Sequence, residues 1–191
     1  YAEEKNNPGE MMPIEPSEYG TSIFSSKDLC LIKEIPEIIE MGIDSLKVEG
    51  RLKTEYYIAS VIGVYRNAID DYIKDPNNYD YTKYLKELEK VKTRALTTFY
   101  FNDRNNQDIQ DYTGRQYNED YEFGGKVVEY NKEKSIVEIK NKLSVGDTLE
   151  LLIPNKLEPE IFKIEKLWDI ETGEEIDFIS PGVKNQKVMM K

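Results

Sequence analysis

The sequence predicts an α+β protein in two parts, with mixed helices and strands over residues 1–117 and a small antiparallel β-barrel over residues 118–191. Up to about residue 95, apolar residues recur at spacings of three and four, which is helical periodicity. From residue 121 they alternate with polar residues in about six short runs separated by turn residues, a spacing typical of small barrels. The change of period indicates a domain boundary near residue 118.

The clearest predicted element is a long helix that begins after Thr54 and ends at Asp75. Its apolar positions from Ile58 to Ile73 keep the spacing of three and four. Thr54 is a suitable N-cap because its hydroxyl can accept a backbone N–H, and the Pro that follows Asp75 cannot continue a helix. Several tyrosines fall on the same pattern and are interpreted as core or interface residues, namely Tyr56, Tyr57, Tyr65 and Tyr72.

Shorter elements are expected on both sides of this helix. The sequence predicts further helices over residues 27–33, from Pro36 to the turn at Gly42, and from about Tyr81 to Ala95. Residues 102–118 are polar and rich in Asn, Asp and Gln, which is typical of an exposed linker.

Residues 43–48 predict a short buried strand whose carboxyl end carries charge. Glu49 and Arg51 lie on either side of Gly50, and the long helix follows at once. Because α/β folds place their chemistry at the carboxyl ends of strands, Glu49 is a candidate catalytic base and Arg51 a candidate catalytic anion-binding group. A structural ion pair at a strand-to-helix turn is the alternative interpretation of the same two residues.

Three lysines near this turn are candidate substrate-binding residues. Lys27, Lys47 and Lys53 can supply positive charge to an anionic substrate within an otherwise acidic chain. The alternative is that Lys47 and Lys53 are solvated residues that flank the turn.

Composition excludes several classes of function. The formal net charge is −11, which argues against free-standing nucleic-acid binding but is compatible with a local basic patch. The chain has no histidine, so Ser-His-Asp, Cys-His and His-zinc catalysis within it are excluded. The single cysteine rules out an internal disulfide, which favours a reducing, cytoplasmic location. No apolar run approaches the ~20 residues of a membrane span, so we expect no membrane partner.

Several segments of this chain resemble a known family. They are residues 25–32 (SSKDLCLI), 45–53 (SLKVEGRLK), 56–59 (YYIA), 124–127 (GGKV) and 141–147 (NKLSVGD). Over nearly its whole length the chain resembles the collagenase-like peptidases of unknown catalytic type, peptidase family U32.

The resemblance implies a specific architecture and activity. It implies a TIM-like barrel, of which this chain would hold the last helix–strand–helix portion, followed by a small β-barrel resembling the second domain of elongation factor Tu. The activity it implies is proteolysis of collagen-like peptides, with a peptide or collagen-like substrate as partner and no activity from this chain alone. Two alternatives stay open: hydroxylation of a wobble uridine of tRNA, with tRNA as partner, or a module that binds and presents a substrate.

The resemblance also bears on cofactors. Cys30 matches a family position that can contribute to an iron–sulfur cluster. One thiolate cannot hold a cluster that needs about four ligands, so we expect no cofactor in this chain and a possible iron–sulfur cluster only in the full-length protein. A small buried cysteine is the alternative. A partial barrel would also expose apolar faces, from which we expect self-association.

Overall fold

A computed structural model describes residues 1–3, 5, 8–9, 11–12, 14–17, 20–22, 26–106, 108–110, 120–131, 134–183 and 186–191. The helices of this part are α1 (Ile35–Glu40), α2 (Glu55–Lys74) and α3 (Thr82–Glu89), with a 3₁₀ turn at Pro76–Asn78. The strands before residue 118 are β1 (Ala2–Glu3), β2 (Met11–Met12), β3 (Glu15–Ser17), β4 (Gly20–Ser22), β5 (Asp28–Leu29) and β6 (Leu96–Thr97). Those after it are β7 (Gly125–Tyr130), β8 (Ser135–Ile139), β9 (Leu143–Ser144), β10 (Thr148–Leu151), β11 (Glu160–Lys163), β12 (Leu167–Asp169), β13 (Glu175–Ile176), β14 (Phe178–Ile179) and β15 (Lys187–Met190). The mixed content of helix and sheet confirms the predicted class.

The long helix α2 has the predicted caps and organises the first hydrophobic core. It begins after Thr54 because the hydroxyl of that residue accepts the backbone N–H of Tyr57 at 3.1 Å. It ends at Lys74, where the backbone N–H of Asp75 donates to the carbonyl of Asp71. One face of α2 packs against α1, α3 and the chain before α1, and the buried residues of this core are Ile32, Ile35, Val61, Val64, Ala68, Tyr72, Tyr84 and Leu88.

The two shorter helices agree with the prediction to different degrees. Helix α1 has Pro in its first turn and is followed by Gly42, whose φ of +76° is the left-handed conformation expected of a glycine there. Helix α3 ends at Glu89, six residues before the predicted end at Ala95. The backbone N–H groups of Lys90 and Val91 donate to carbonyls only three residues back, which tightens the last turn and ends the helix.

The helix predicted over residues 27–33 is wrong. Asp28 and Leu29 instead form strand β5, which pairs in parallel with β6. The backbone N–H of Asp28 donates to the carbonyl of Ala95, and that of Cys30 donates to the carbonyl of Thr97. Local signals favoured a helix, but the ladder with a segment far along the chain determines the conformation. The polar linker predicted over residues 102–118 lies partly outside the described residues.

The buried strand predicted over residues 43–48 is also wrong. The segment has no regular secondary structure, and Ile43 and Leu46 are exposed. A strand needs a neighbour for its backbone N–H and C=O groups, and no described residue pairs with this segment. The charged turn at its end therefore lies on an exposed loop and not at the edge of a sheet.

Strands after residue 124 form three antiparallel sheets. Five strands pair in the order β13–β12–β15–β8–β7, while β10 pairs with β11 and β14 pairs with β9. Their inner faces share a second core, formed by Val137, Ile139, Leu143, Ile164, Leu167, Ile179, Val188 and Met190. The described strands do not close into a barrel, because the five-stranded sheet ends at two unpaired edges, β13 and β7. The all-β character agrees with the prediction, and the closed barrel does not.

An apolar strip on α2 faces away from the first core. Ile58, Ile62 and Ile73 recur at helical spacing and are 36%, 48% and 62% exposed. The self-association expected from the sequence stays a prediction, and this strip is the surface that would mediate it. Sedimentation at increasing concentration of the chain is the test. No helix in the described ranges has the length and apolar character that crossing a membrane requires.

Tyrosines of the first core hold their hydroxyls in partly buried hydrogen bonds. Tyr84 is fully buried and donates to the Asp71 carboxylate at 2.5 Å. Tyr79 stacks on Tyr84, with 5.7 Å between the ring centroids, and donates to the carbonyl of Ile32. Burial, reinforced by the hydrogen bond to Asp71, raises the pKa of Tyr84 to about 12. Burial likewise raises the pKa of Tyr79.

These shifts predict alkaline unfolding. In the unfolded chain tyrosine ionises near pH ~10, so the unfolded state releases protons that folded Tyr84 keeps up to about pH 12. The free energy of unfolding should therefore fall as pH rises through this window. We expect part of the tyrosinate absorbance to appear only together with the loss of far-ultraviolet circular dichroism. Ionisation of all 14 tyrosines while the dichroism stays unchanged would contradict it.

Candidate functional site

The predicted catalytic pair lies on an exposed turn. A Glu49 carboxylate oxygen accepts the backbone N–H of Arg51 at 2.9 Å, and the backbone N–H of Lys53 donates to the carbonyl of Gly50 at 3.0 Å. Both side chains are exposed, and among the described residues the Arg51 guanidinium has no ion-pair partner. Glu49 therefore stabilises the turn through its carboxylate.

The three predicted substrate-binding lysines do not converge. Lys27 pairs with Asp108, and its side chain is mostly buried. The Lys53 ammonium lies 3.6 Å from the Asp28 carboxylate and 4.9 Å from the centre of the Tyr57 ring. Lys47 is exposed on the loop before the turn and makes no ion pair within the described ranges. Of the three, Lys53 lines a concave surface in the described part of the chain.

Asp28 organises the concave surface beside Lys53 together with Arg94, a residue that was not predicted from the sequence. Its carboxylate accepts from the Arg94 guanidinium at 2.9 and 3.2 Å and from the Arg94 backbone N–H at 3.1 Å. The same carboxylate faces Lys53. One partly buried carboxylate thus aligns two cations from segments 41 residues apart, 53 and 94. The alternation of Lys90, Lys92 and Arg94 was the available signal in the sequence.

Cys30 is a partly buried thiol. Tyr65 donates its hydroxyl proton toward the sulfur at 3.8 Å and accepts the backbone N–H of Leu31 at 2.9 Å. Burial raises the pKa of the Cys30 thiol and so favours its protonated form over the thiolate that ligates metals. The described residues contain no group of three or more His, Cys, Asp or Glu side chains arranged to hold a metal ion. The chain itself therefore supplies one candidate cluster ligand, Cys30, and no second cysteine.

A cleft of about 950 Å³, here named the interface cleft, lies where α2 meets the β-rich part of the chain. Its walls are residues 52–57, 91–94, 121–123 and 140–141. Its cationic side chains are Lys53, Lys92, Arg94 and Lys140, and its carboxylates are Glu55 and Glu122. Lys140 pairs with the Glu138 carboxylate, and Lys53 and Arg94 both face the Asp28 carboxylate. Within the described residues, Lys92 is therefore the cation of the cleft that has no ion-pair partner, in a chain of net charge −11.

Aromatic rings form the other lining of the interface cleft. Tyr56 of α2 stacks on Phe123, with ring centroids 5.7 Å apart and planes inclined by 18°. Tyr57 and Tyr121 also line it, and each carries a lysine ammonium over its ring, from Lys53 and Lys90 respectively. All four rings are partly exposed, and one face of each is covered by the stacked partner ring or by a lysine ammonium. Cations can bind phosphates, and the partly exposed aromatic rings beside them can stack on bases.

Lys90 holds one side of the cleft in place. Its ammonium lies 2.9 Å from the Glu87 carboxylate and 2.8 Å from that of Glu150 on strand β10, which joins the end of α3 to the β-rich part. Burial disfavours the charged ammonium, but the hydrogen bonds to Glu150 and Glu87 outweigh this effect and raise the pKa of Lys90. The ammonium therefore stays charged at neutral pH.

Comparison with protein-family models identifies the class of protein. Residues 2–111 match Peptidase family U32, and residues 119–191 match the Peptidase family U32 C-terminal domain. The chain belongs to peptidase family U32, as the resemblance indicated.

Similar proteins carry more specific names. A Bacillus subtilis protein named tRNA hydroxylation protein P1 is 40% identical over 157 residues, 81% of this chain and 37% of that protein. The Escherichia coli tRNA hydroxylation protein P is 39% identical over 154 residues, 80% of this chain and 34% of that protein. A Methanocaldococcus jannaschii protein named an uncharacterized protease is 40% identical over 139 residues, 70% of this chain and 34% of that protein. The chain thus spans little more than a third of the length of these relatives.

One solved structure is also similar. It is the C-terminal domain of a putative U32 peptidase from Geobacillus thermoleovorans, as the selenomethionine variant. It is 34% identical, with a TM-score of 0.32, over 37% of this chain and 84% of that domain.

These names correct the functional expectation. The interpretation as a collagenase-like peptidase with a collagen-like substrate is wrong, because relatives that match this chain over about 80% of its length are named tRNA hydroxylation proteins. The alternative drawn from the same resemblance, tRNA hydroxylation, agrees with them. Membership of the family stands, and the activity suggested by the family's name does not.

Proposed function

We propose that this chain is part of a protein that hydroxylates tRNA. The observation that carries the proposal is the identity of 40% and 39%, over 81% and 80% of the chain, to proteins named for tRNA hydroxylation. Because the chain spans about 37% and 34% of those relatives, the reaction belongs to the whole protein. The wobble uridine implied by the resemblance is the proposed target nucleoside.

Geometry supports an RNA-contacting role for the chain. The interface cleft places Lys92, which has no ion-pair partner among the described residues, beside partly exposed aromatic rings, although the chain as a whole is acidic. Hydroxylation of a base requires that the base be accessible, so a protein of this kind must hold single-stranded nucleotides. The proposed division is that residues 1–117 and 118–191 are two domains that hold the RNA between them.

The site residues suggested by the sequence stay proposals in this setting. The exposed turn carries Arg51 as a phosphate-binding group and Glu49 as a candidate catalytic base, with Lys47 beside it as a second cation. The TIM-like barrel, the likeness to the second domain of elongation factor Tu and an iron–sulfur cluster in the full-length protein are likewise proposals. Each is implied by the family resemblance.

A chimera tests the proposed function. The segment of the Bacillus subtilis tRNA hydroxylation protein P1 that matches this chain is replaced by residues 1–191. The chimera is expressed in a strain that lacks both P1 and tRNA hydroxylation protein P2, since that organism has two such relatives. We expect mass spectrometry of digested tRNA to show the hydroxylated nucleoside at a substantial fraction of its level in the parent strain.

Two controls make the outcome decisive. The same strain with an empty vector should lack the nucleoside, and the same strain with intact P1 should contain it. A chimera that accumulates to the level of P1 but yields no hydroxylated nucleoside would contradict the proposed function.

A further inference from the structure

We propose that the interface cleft binds unpaired RNA nucleotides, with phosphates on its cations and bases against its aromatic rings. The inference rests on the proposed function and deepens it, because it names the part of the chain that contacts the RNA and the form of RNA it takes. The volume of the interface cleft, about 950 Å³, lies within the ~300–1,000 Å³ typical of small-ligand sites. The cleft is therefore large enough to hold nucleotides.

Cations of the cleft are available to a phosphate to different extents. Lys92 is exposed and has no ion-pair partner among the residues that the structure describes. Lys53 and Arg94 share the single carboxylate of Asp28, so together they keep one unit of positive charge. Asp28 thus acts as a positioning residue that holds both cations at the cleft while neutralising only one of them.

The N-terminus of α2 lies in the cleft but does not by itself provide an anion site. The Thr54 hydroxyl already accepts the backbone N–H of Tyr57, and Glu55 places a carboxylate in the first turn of α2. Both features satisfy the helix N-terminus and disfavour a phosphate on it. Side-chain cations are therefore the groups to which a phosphate would bind. Lys92 is the one of them that is not already held by a carboxylate within the described residues.

Aromatic residues distinguish unpaired RNA from other polyanions. A duplex hides the faces of its bases, and an acidic peptide has none, so stacking on Tyr57 or on the Tyr56–Phe123 pair favours single-stranded RNA. Cations alone would bind all three polyanions according to their charge. Preference for the single strand is thus the property that the rings add.

The test compares three probes on the purified chain. They are a fluorescein-labelled single-stranded RNA oligonucleotide, an RNA duplex of equal length and an oligoglutamate peptide. We expect the single strand to bind most tightly. Lys92→Glu should weaken its binding about tenfold and reduce the salt dependence by about one to two charges, and Tyr57→Leu should weaken it about tenfold with the salt dependence unchanged.

A matched control reports on charge alone. Lys74→Glu makes the same charge change at the other end of the 20-residue helix α2, about 30 Å from the cleft, and should leave binding within about twofold. Circular dichroism spectra that match the unmodified chain confirm that each variant folds.

Several results would overturn the inference. They are equal losses from Lys92→Glu and Lys74→Glu, unchanged binding by both cleft variants, or binding of the duplex or the peptide as tight as that of the single strand. The chimera separates this failure from failure of the proposed function. If the chimera yields hydroxylated tRNA but the cleft variants bind RNA as tightly as the unmodified chain, only the inference about the cleft is contradicted. If RNA binding depends on the cleft but the chimera yields no hydroxylated tRNA, only the proposed function is contradicted.

Discussion

Replacing Tyr84 with alanine is expected to lower the free energy of unfolding by about 3–5 kcal/mol. Tyr84 is the largest fully buried side chain of the first core, and its ring stacks on Tyr79 at 5.7 Å. Its removal leaves a cavity between α2 and α3 that rigid helices cannot close. Because small domains are stable by only about 5–15 kcal/mol, the helical part of the variant should be largely unfolded in mild urea. Urea titration followed by circular dichroism measures the loss.

Tyr84→Phe is the matched control, because it keeps the ring and removes only the hydroxyl. The Asp71 carboxylate loses the hydrogen bond from Tyr84 but is about half exposed and keeps the Lys83 ammonium at 2.8 Å. Loss of this hydrogen bond should therefore lower the free energy of unfolding by only about 1 kcal/mol. If the alanine and phenylalanine variants lose the same stability, the ring does not contribute to the core as described.

Replacing Lys90 with methionine has the second-largest expected effect, about 3 kcal/mol. The Lys90 side chain is 11% exposed and lies between the carboxylates of Glu87 and Glu150, which are 13% and 25% exposed. Methionine fills much of the volume but leaves two facing carboxylates without a cation. Breaking a buried ion pair by removing one partner is costly for this reason. Urea unfolding of the variant measures the effect.

Two comparisons show whether charge is the cause. Neutralising both acids in the same chain, as Lys90→Met, Glu87→Gln and Glu150→Gln together, should recover most of the lost stability. Lys156→Met removes the cation of an exposed pair with Glu160 and should change stability by less than about 1 kcal/mol. An equal loss from Lys90→Met and Lys156→Met would mean that the bridge between α3 and β10 contributes no more than a surface pair.

Elements with local signals were predictable from the sequence. Helix α2 was predicted with both of its ends, because apolar spacing, the Thr54 cap and the Asp75–Pro76 stop all lie within the segment itself. Helix α1 was predictable for the same reason, because the Pro in its first turn and Gly42 just after its end are both local signals. The alternating segments after residue 121 also form strands as expected, because a half-buried strand has a period of two that its own residues reveal.

Elements that depend on distant partners were not predictable. Residues 27–33 have a helix-like start, yet Asp28 lies in a parallel ladder with residues near Leu96 and is bound by Arg94. Residues 43–48 have the composition of a buried strand but no described neighbour to pair with. In the first case the deciding hydrogen bonds come from residues 95–97, and in the second no described strand supplies them, so the local pattern reveals neither outcome.

The candidate site was predictable only in part. Lys53 was chosen from the sequence and does line the interface cleft, but Lys27 and Lys47 do not. Arg94, Lys92 and the aromatic wall were missed because the cleft draws on four segments spread from residue 52 to residue 141. Net charge is a sum over the whole chain, so it does not reveal a local group of cations inside an acidic chain.

Photo-crosslinking tests the central claim most directly, namely that a tRNA-hydroxylating protein holds unpaired RNA in this cleft. The chimera is irradiated with tRNA in which 4-thiouridine replaces uridine, and the crosslinked peptides are identified by mass spectrometry. We predict crosslinks to residues 52–57 and 121–123, lost when an excess of unlabelled tRNA competes. Crosslinks confined to strands β11 to β15, or none at all from a chimera that binds tRNA, would contradict it.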